Sequence, residues 1–243
     1  MKSLIKQVFL IMFLVPKLSA QSFISNIYSK IFGSKDIKQE YRDMTHQALC
    51  DVGVQSFKDV PVKQMNNVGP ILALMPLSSF TAFGVWFDEK QLTKYSPSER
   101  IFAIYHEAAH YAHQHHQKLL AIGSAATASA IIILVYLHKK LVKEKIQYAA
   151  GITAGTGVLM SLAIYFGLLP RIVREQEKEA DITAAKTLVR LGKKDVVDQH
   201  IQRLEQDAKS NQSNIWWYSE QAQQDYLKEL LNALRTTRVR SNA

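Results

Sequence analysis

The sequence predicts a mainly helical α+β fold, in which a small sheet and several amphipathic helices form one unit interrupted by a transmembrane helical hairpin. Three observations carry that reading. Apolar residues recur at helical spacing in several segments, a stretch before residue 90 is instead rich in β-branched and aromatic residues broken by Pro and Gly, and two long runs after residue 118 hold no charged side chain. With 47% hydrophobic and 21% charged residues among 243, the composition is globular and excludes wholesale disorder and a fibrous repeat. The lone cysteine, Cys50, excludes an internal disulfide framework and any multi-cysteine metal site, so a metal here must use His and carboxylate ligands.

At the N-terminus, Lys2 and Lys6 precede an apolar run, Pro16, and the small residues Ser19 and Ala20, the order of a secretory signal peptide over residues 1–20. An uncleaved anchor or a buried helix are the alternatives. Residues 36–52 read as an amphipathic helix with Tyr41, Met44, Ala48 and Val52 on one face, Cys50 packed there, and Gly53 as the stop. Segments 60–65 and 71–87, broken by Pro70, Pro76 and Gly84, read as short strands. Ser96, Pro97 and Glu99 then spell a helix start with a capping box.

Residues 119–138 and 146–170 are charge-free and long enough to cross a bilayer, and the link at 138–146 suits only a tight hairpin. Gly151, Gly155 and Gly157 weaken hydropathy but suit close helix contact in lipid. A buried Ala-rich hairpin of a soluble protein is the alternative. The loop carries Lys139, Lys140, Lys143 and Lys145 against Glu144, which marks it as cytoplasmic and sets both flanking regions on the exported side. The formal charge of +9 is largely a topological signal: Lys2, Lys6 and Lys17 supply +3, and the loop another +3. No basic stripe with interleaved aromatics accompanies it, so nucleic acid is not an expected partner. The expected division is therefore 1–20 as signal peptide, 21–118 and 171–243 as the two parts of one catalytic domain, and 119–170 as the hairpin. Beyond the hairpin, 171–191, 194–208 and 219–234 read as helices and 235–243 as a frayed end. Trp216, Trp217 and Tyr218 read as packing or interfacial aromatics.

The helix opened by Ser96 contains His106-Glu107-Ala108-Ala109-His110, an H-E-x-x-H motif. Histidines four residues apart lie one turn above each other on one face, so both imidazoles reach one zinc ion, and Glu107 beside the first is placed to take a proton from a water that zinc acidifies. A third ligand is needed, and the helix at 171–191 offers it in Glu177, the first residue of an E-x-x-A-D pattern ending at Asp181. Asp181, one turn on, is placed to accept a hydrogen bond from the outer nitrogen of a ligand histidine. Glu175 and Glu179 point elsewhere on that helix; alone, this acidic run would be a solvated face.

H-E-x-x-H followed by E-x-x-A-D across a membrane hairpin resembles the gluzincin metallopeptidases that include the CAAX prenyl endopeptidase, the bacterial HtpX heat-shock protease and the stress-activated metallopeptidase of the mitochondrial inner membrane. The resemblance covers residues 36–192. It extends to a further histidine nine residues after the first, here His115, and to the strand 82–87 before the active-site helix. It implies a zincin-like catalytic domain and an extended substrate adding as a strand along 82–87. The C-terminal helices lack the His-Pro segment that many members carry. His113, seven residues after His106, falls near the same face, where a place bordering the cleft is the lesser reading; His113 and His116 read as neutral or half-exposed residues near the membrane surface, without a direct metal role, and His46, His138 and His200 have no partner pattern.

The expected function is thus a membrane-anchored zinc metalloendopeptidase acting on protein or peptide substrates in membrane protein quality control. His106, His110 and Glu177 hold one Zn2+ per chain and Glu107 is the base. The expected setting is multi-pass in a lipid bilayer with the catalytic domain on the exported side, either the periplasmic face of a bacterial inner membrane or the intermembrane-space face of the mitochondrial one. The alternative is a non-catalytic, zinc-stabilised membrane chaperone or assembly factor, against which the intact Glu107 argues, because a structural site needs ligands but no base.

Overall fold

A computed structural model describes residues 35–65, 79–80, 84–210 and 220–240. The expected signal peptide, residues 71–78 and 81–83 of the strand region, and Trp216 to Tyr218 lie outside the described residues. Among the described residues the chain is mostly helical, with one small sheet.

Helix α1, Gln39–Asp51, buries Tyr41, Thr45, Ala48 and Leu49 on one stripe, and the Thr45 hydroxyl donates to the Tyr41 carbonyl at 2.6 Å. Gly53 ends it as expected: at φ +97 it takes the left-handed turn that lets Gly53 N–H reach the Cys50 carbonyl and Val54 N–H reach the Leu49 carbonyl. Cys50 is exposed rather than packed, because it lies two residues from Ala48 and so on the far side of the helix.

Strand β1, Val62–Gln64, runs parallel to β3, Val85–Phe87, and β2, Ser79–Phe80, pairs antiparallel with the other edge of β3. All three residues of β3 are buried. Gly84 is required where β3 enters: a Cβ there would stand 2.7 Å from the Pro61 carbonyl, to which Val85 N–H donates at 2.8 Å. The sheet order corrects one expectation. Strand addition needs an unpaired edge, and residues 85–87 form the central strand with both edges occupied, so a substrate does not add there.

After the short α2, Glu89–Leu92, capped by the Asp88 carboxylate, helix α3, Pro97–Ala112, opens with the expected capping box. The Ser96 hydroxyl accepts from Glu99 N–H, and the Glu99 carboxylate accepts from Ser96 N–H at 2.8 Å. Helix α3 stops at Ala112. Gln114 takes a left-handed φ of 56, and α4, His115–Lys143, begins at once. Helix α5, Ala149–Leu162, follows a short loop in which Lys145 also has positive φ, then continues without a break through a π-helical turn, Ala163–Leu168, into α6, Leu169–Arg190. Helix α4 and the continuous helix that runs from Ala149 through the π-helical turn to Arg190 are each long and apolar enough to cross a membrane. Ile131, Ile132, Ile133, Val158 and Leu159 are exposed, so the hairpin is not a buried one.

Helix α6 ends on Gly192 with the same pair of turn hydrogen bonds as α1 and is followed by α7, Lys194–Ser210, and α8, Glu220–Arg240. The C-terminal end is not frayed at 235. Helix α8 runs on through Arg240, held by an ion pair from Arg235 to Glu205 and by Thr236, which donates to the Asn232 carbonyl. One core joins α1, the sheet, α3, α6, α7 and α8 through residues such as Leu49, Val85, Ile104, Leu188, Val197 and Leu234. At its centre α3 and α6 pack along their length, with Ala108, Ala109, Ala180, Ala184 and Ala185 fully buried. Small side chains let the two backbones approach, and that approach brings the two motifs together.

Candidate metal centre

The four-residue spacing on α3 puts the His106 and His110 rings edge to face, 4.6 Å apart, with their Nε2 atoms 2.9 Å from each other. Across from them Glu177 on α6 sets Oε2 3.2 Å from His106 Nε2 and Oε1 3.5 Å from His110 Nε2. These donor separations bracket the roughly 3.3 Å edge of a tetrahedron with bonds of about 2.0 to 2.1 Å, so the three side chains fit a single zinc-sized cation. They form a group able to hold a metal ion, all three donor atoms lying within 4.8 Å of one another.

Asp181, buried one turn beyond Glu177, places Oδ1 2.6 Å from His106 Nδ1. A carboxylate only accepts, so Nδ1 of His106 carries the proton and its Nε2 faces the donor group. Burial works against a charged His106 imidazole, but Asp181 and then Glu177 outweigh it and raise its pKa well above 6.5. Burial likewise opposes the Glu177 and Asp181 charges, yet His106 and His110 hold Glu177 well below the ordinary carboxylate range, and His106 does the same for Asp181. The cluster therefore favours positive charge at its centre, as a cation site must.

Glu107 is buried, and its Oε2 has no hydrogen-bond partner among the described residues. An unpartnered buried carboxylate oxygen is costly, and Glu107 directly follows the first donor histidine in the sequence.

Two placements add to what the sequence suggests. Glu179 points away from the donor group, as expected, but onto two histidines: its Oε2 lies 3.0 Å from His115 Nε2, and its Oε1 lies 3.4 Å from His113 Nδ1, because the start of α4 packs against that flank of α6. His113 faces Glu179 and Thr183, whose hydroxyl is 2.9 Å from His113 Nε2, rather than the donor group. Sequence reasoning also missed His200 on α7, stacked on Phe102 at 3.5 Å with its Nε2 3.8 Å from Asp181 Oδ2. No short-range spacing signals it, since it reaches Asp181 only through the turn between α6 and α7. His46 sits 3.0 Å from the Val60 carbonyl, and His138 lies at the hairpin loop near Thr153, both outside the site.

Comparison with curated proteins and with solved structures finds no match. A family model, that of peptidase family M48, matches residues 82–227, in agreement with the resemblance carried by the two motifs. The match spans more than half of the chain and includes His106, Glu107, His110, Glu177 and Asp181, so the chain belongs to peptidase family M48.

Proposed function

We propose that this metallopeptidase-family chain is a zinc metalloendopeptidase of zincin-like fold, anchored in a membrane, that hydrolyses peptide bonds of protein substrates in membrane protein quality control. The observation that carries the reading is the triangle of His106, His110 and Glu177 donors, with the buried, unpartnered Glu107 carboxylate on the same motif. His106, His110 and Glu177 would hold one zinc ion per chain. When bound, zinc supplies Lewis acidity, which makes a water easier to deprotonate and polarises the scissile carbonyl. Glu107 accepts the proton at its carboxylate and returns it to the leaving amine. Asp181 keeps the His106 proton on Nδ1, so that Nε2 presents a lone pair.

Residues 21–118 and 171–243 act as two parts of one catalytic domain, a division supported by the packing of α3 against α6 across the inserted hairpin. Two helices of sufficient length and apolarity support anchoring, and the lysine-rich loop between them supports an exported catalytic domain.

The test is metal analysis and cleavage of casein or a peptide by detergent-purified protein, with a chelator control. The expected result is zinc in the wild type and in Glu107→Gln, turnover abolished by the chelator, and a roughly 10²- to 10⁴-fold loss of rate in the variant. Hydrolysis that survives in pure Glu107→Gln overturns the mechanism. Zinc without any turnover in the wild type favours a zinc-stabilised chaperone or assembly factor instead.

A further inference from the structure

His110 has an outer nitrogen, and its partner is one that the motif spacing does not foretell. On an unbroken helix His115 would stand about 140° around the axis from His110 and could not face it. The left-handed Gln114 breaks the helix, and α4 starts afresh at His115, whose carbonyl accepts from Gln176 Nε2 at 3.1 Å. That reversal brings the buried His115 ring back against the site. Its Nδ1 lies 2.9 Å from His110 Nδ1, and its Nε2 lies 3.0 Å from Glu179 Oε2.

We propose that Glu179 and His115 are positioning residues, a hydrogen-bonded relay that keeps the proton of His110 on Nδ1 and leaves His110 Nε2 as a lone-pair donor to the cation. The direction follows from the chemistry of its outer end. A carboxylate only accepts, so His115 donates from Nε2–H to Glu179. A neutral imidazole with its proton on Nε2 accepts at Nδ1, so His110 donates from Nδ1–H. Its Nε2, which faces His106 and Glu177, is then unprotonated. Asp181 achieves the same for His106 in one step, and the two supporting carboxylates stand two residues apart on α6.

The inference rests on the reading of His106, His110 and Glu177 as a zinc site. It excludes a second use of the same residues. His113, His115 and Glu179 also form a group able to hold a metal ion. A cation on His115 Nε2 would move the His115 proton to Nδ1, where it would meet the Nδ1–H of His110 across 2.9 Å. Relay and second ion are therefore mutually exclusive, and counting ions separates them.

The experiment uses the full chain in detergent, as wild type, Glu179→Ala, Glu179→Gln, His115→Phe and the Glu179→Ala/His115→Phe double variant. Zinc is counted by elemental analysis, its affinity is measured by competition with a chromogenic chelator, and circular dichroism checks the fold. One zinc per chain is expected, with affinity reduced about 10- to 100-fold in Glu179→Ala and in His115→Phe. The double variant binds no more weakly than the weaker single one, because the two residues act in series. Glu179→Gln, which keeps an acceptor oxygen, stays closer to wild type. Nitrogen-15 histidine NMR of metal-free wild type reads the tautomer without any substitution, with Nδ1 of His110 protonated and Nε2 not. Affinity within about twofold of wild type in both single variants overturns the relay. So do additive losses in the double variant, a protonated His110 Nε2, or two zinc ions per chain that fall to one in Glu179→Ala. No zinc on the wild type overturns the zinc reading, whereas tight zinc binding unchanged in the variants overturns the relay alone.

Discussion

Two helix pairs lie on the same two stretches of chain, α3 with α6 and α4 with α5, and both are rich in small residues. They treat those residues in opposite ways. Between α3 and α6 the alanines are fully buried, so the apolar surface faces inward and four ionisable side chains of the two motifs are held at the contact. Between α4 and α5, Gly157 lets Leu134 close in to where a Cβ would be 3.3 Å away, while the large side chains Ile131, Ile132, Ile133, Val158 and Leu159 face outward. The first pair solves its packing against water; the second leaves an apolar outer surface, which is stable only if lipid or another apolar medium covers it. Small residues thus set how near two helices come, and the large residues beside them decide the solvent for which the pair is built.

The comparison can be broken most sharply at the chemistry. The expected loss in Glu107→Gln, roughly 10²- to 10⁴-fold in turnover, places the reaction on the α3 and α6 pair alone. Leu188 is fully buried under that pair, and Leu188→Ala should destabilise the protein by about 2 to 5 kcal/mol in thermal or denaturant unfolding. A cost under about 0.5 kcal/mol, typical of surface positions, would mean that α6 is not part of the core. On the other pair, Ile132→Asp places a charge near the middle of α4, where insertion into a bilayer should become less favourable by about 2.5 to 3.5 kcal/mol. Carbonate extraction of membranes measures this, and an unchanged membrane fraction removes the hairpin from the bilayer. The smallest effect is at the start of α3: Ser96→Ala removes one half of the capping box, with an expected loss of about 1 kcal/mol in stability and little change in turnover.

Local signals were the legible ones. Gly53 stopped α1, Ser96 and Glu99 opened α3, and the four-residue spacings in H-E-x-x-H and E-x-x-A-D put the right side chains on one face, because each of these is decided within a turn or two of helix. What depends on tertiary placement was not legible. The break at Gln114 falls on a residue with no glycine-like signature, and without it neither the return of His115 nor its contact with Glu179 follows. His200 reaches Asp181 only after α7 folds back on α6, and the run of α8 beyond residue 234 depends on a partner on α7. The central position of β3 is likewise set by which strands pair, not by its own residues.

The π-helical turn at Ala163–Leu168 joins α5 to α6 without interrupting the rod. A wider turn holds an additional residue, and each residue advances a helix by about 100°, so this turn resets the angular phase between the hairpin and the motif that follows. The outward face of α5 and the face of α6 that carries Glu177 and Asp181 are therefore indexed to each other by a single residue. Insertions or deletions in the loop between α4 and α5 leave that index untouched, whereas one between residues 163 and 168 rotates the acidic ligand relative to the surface that meets the surrounding medium.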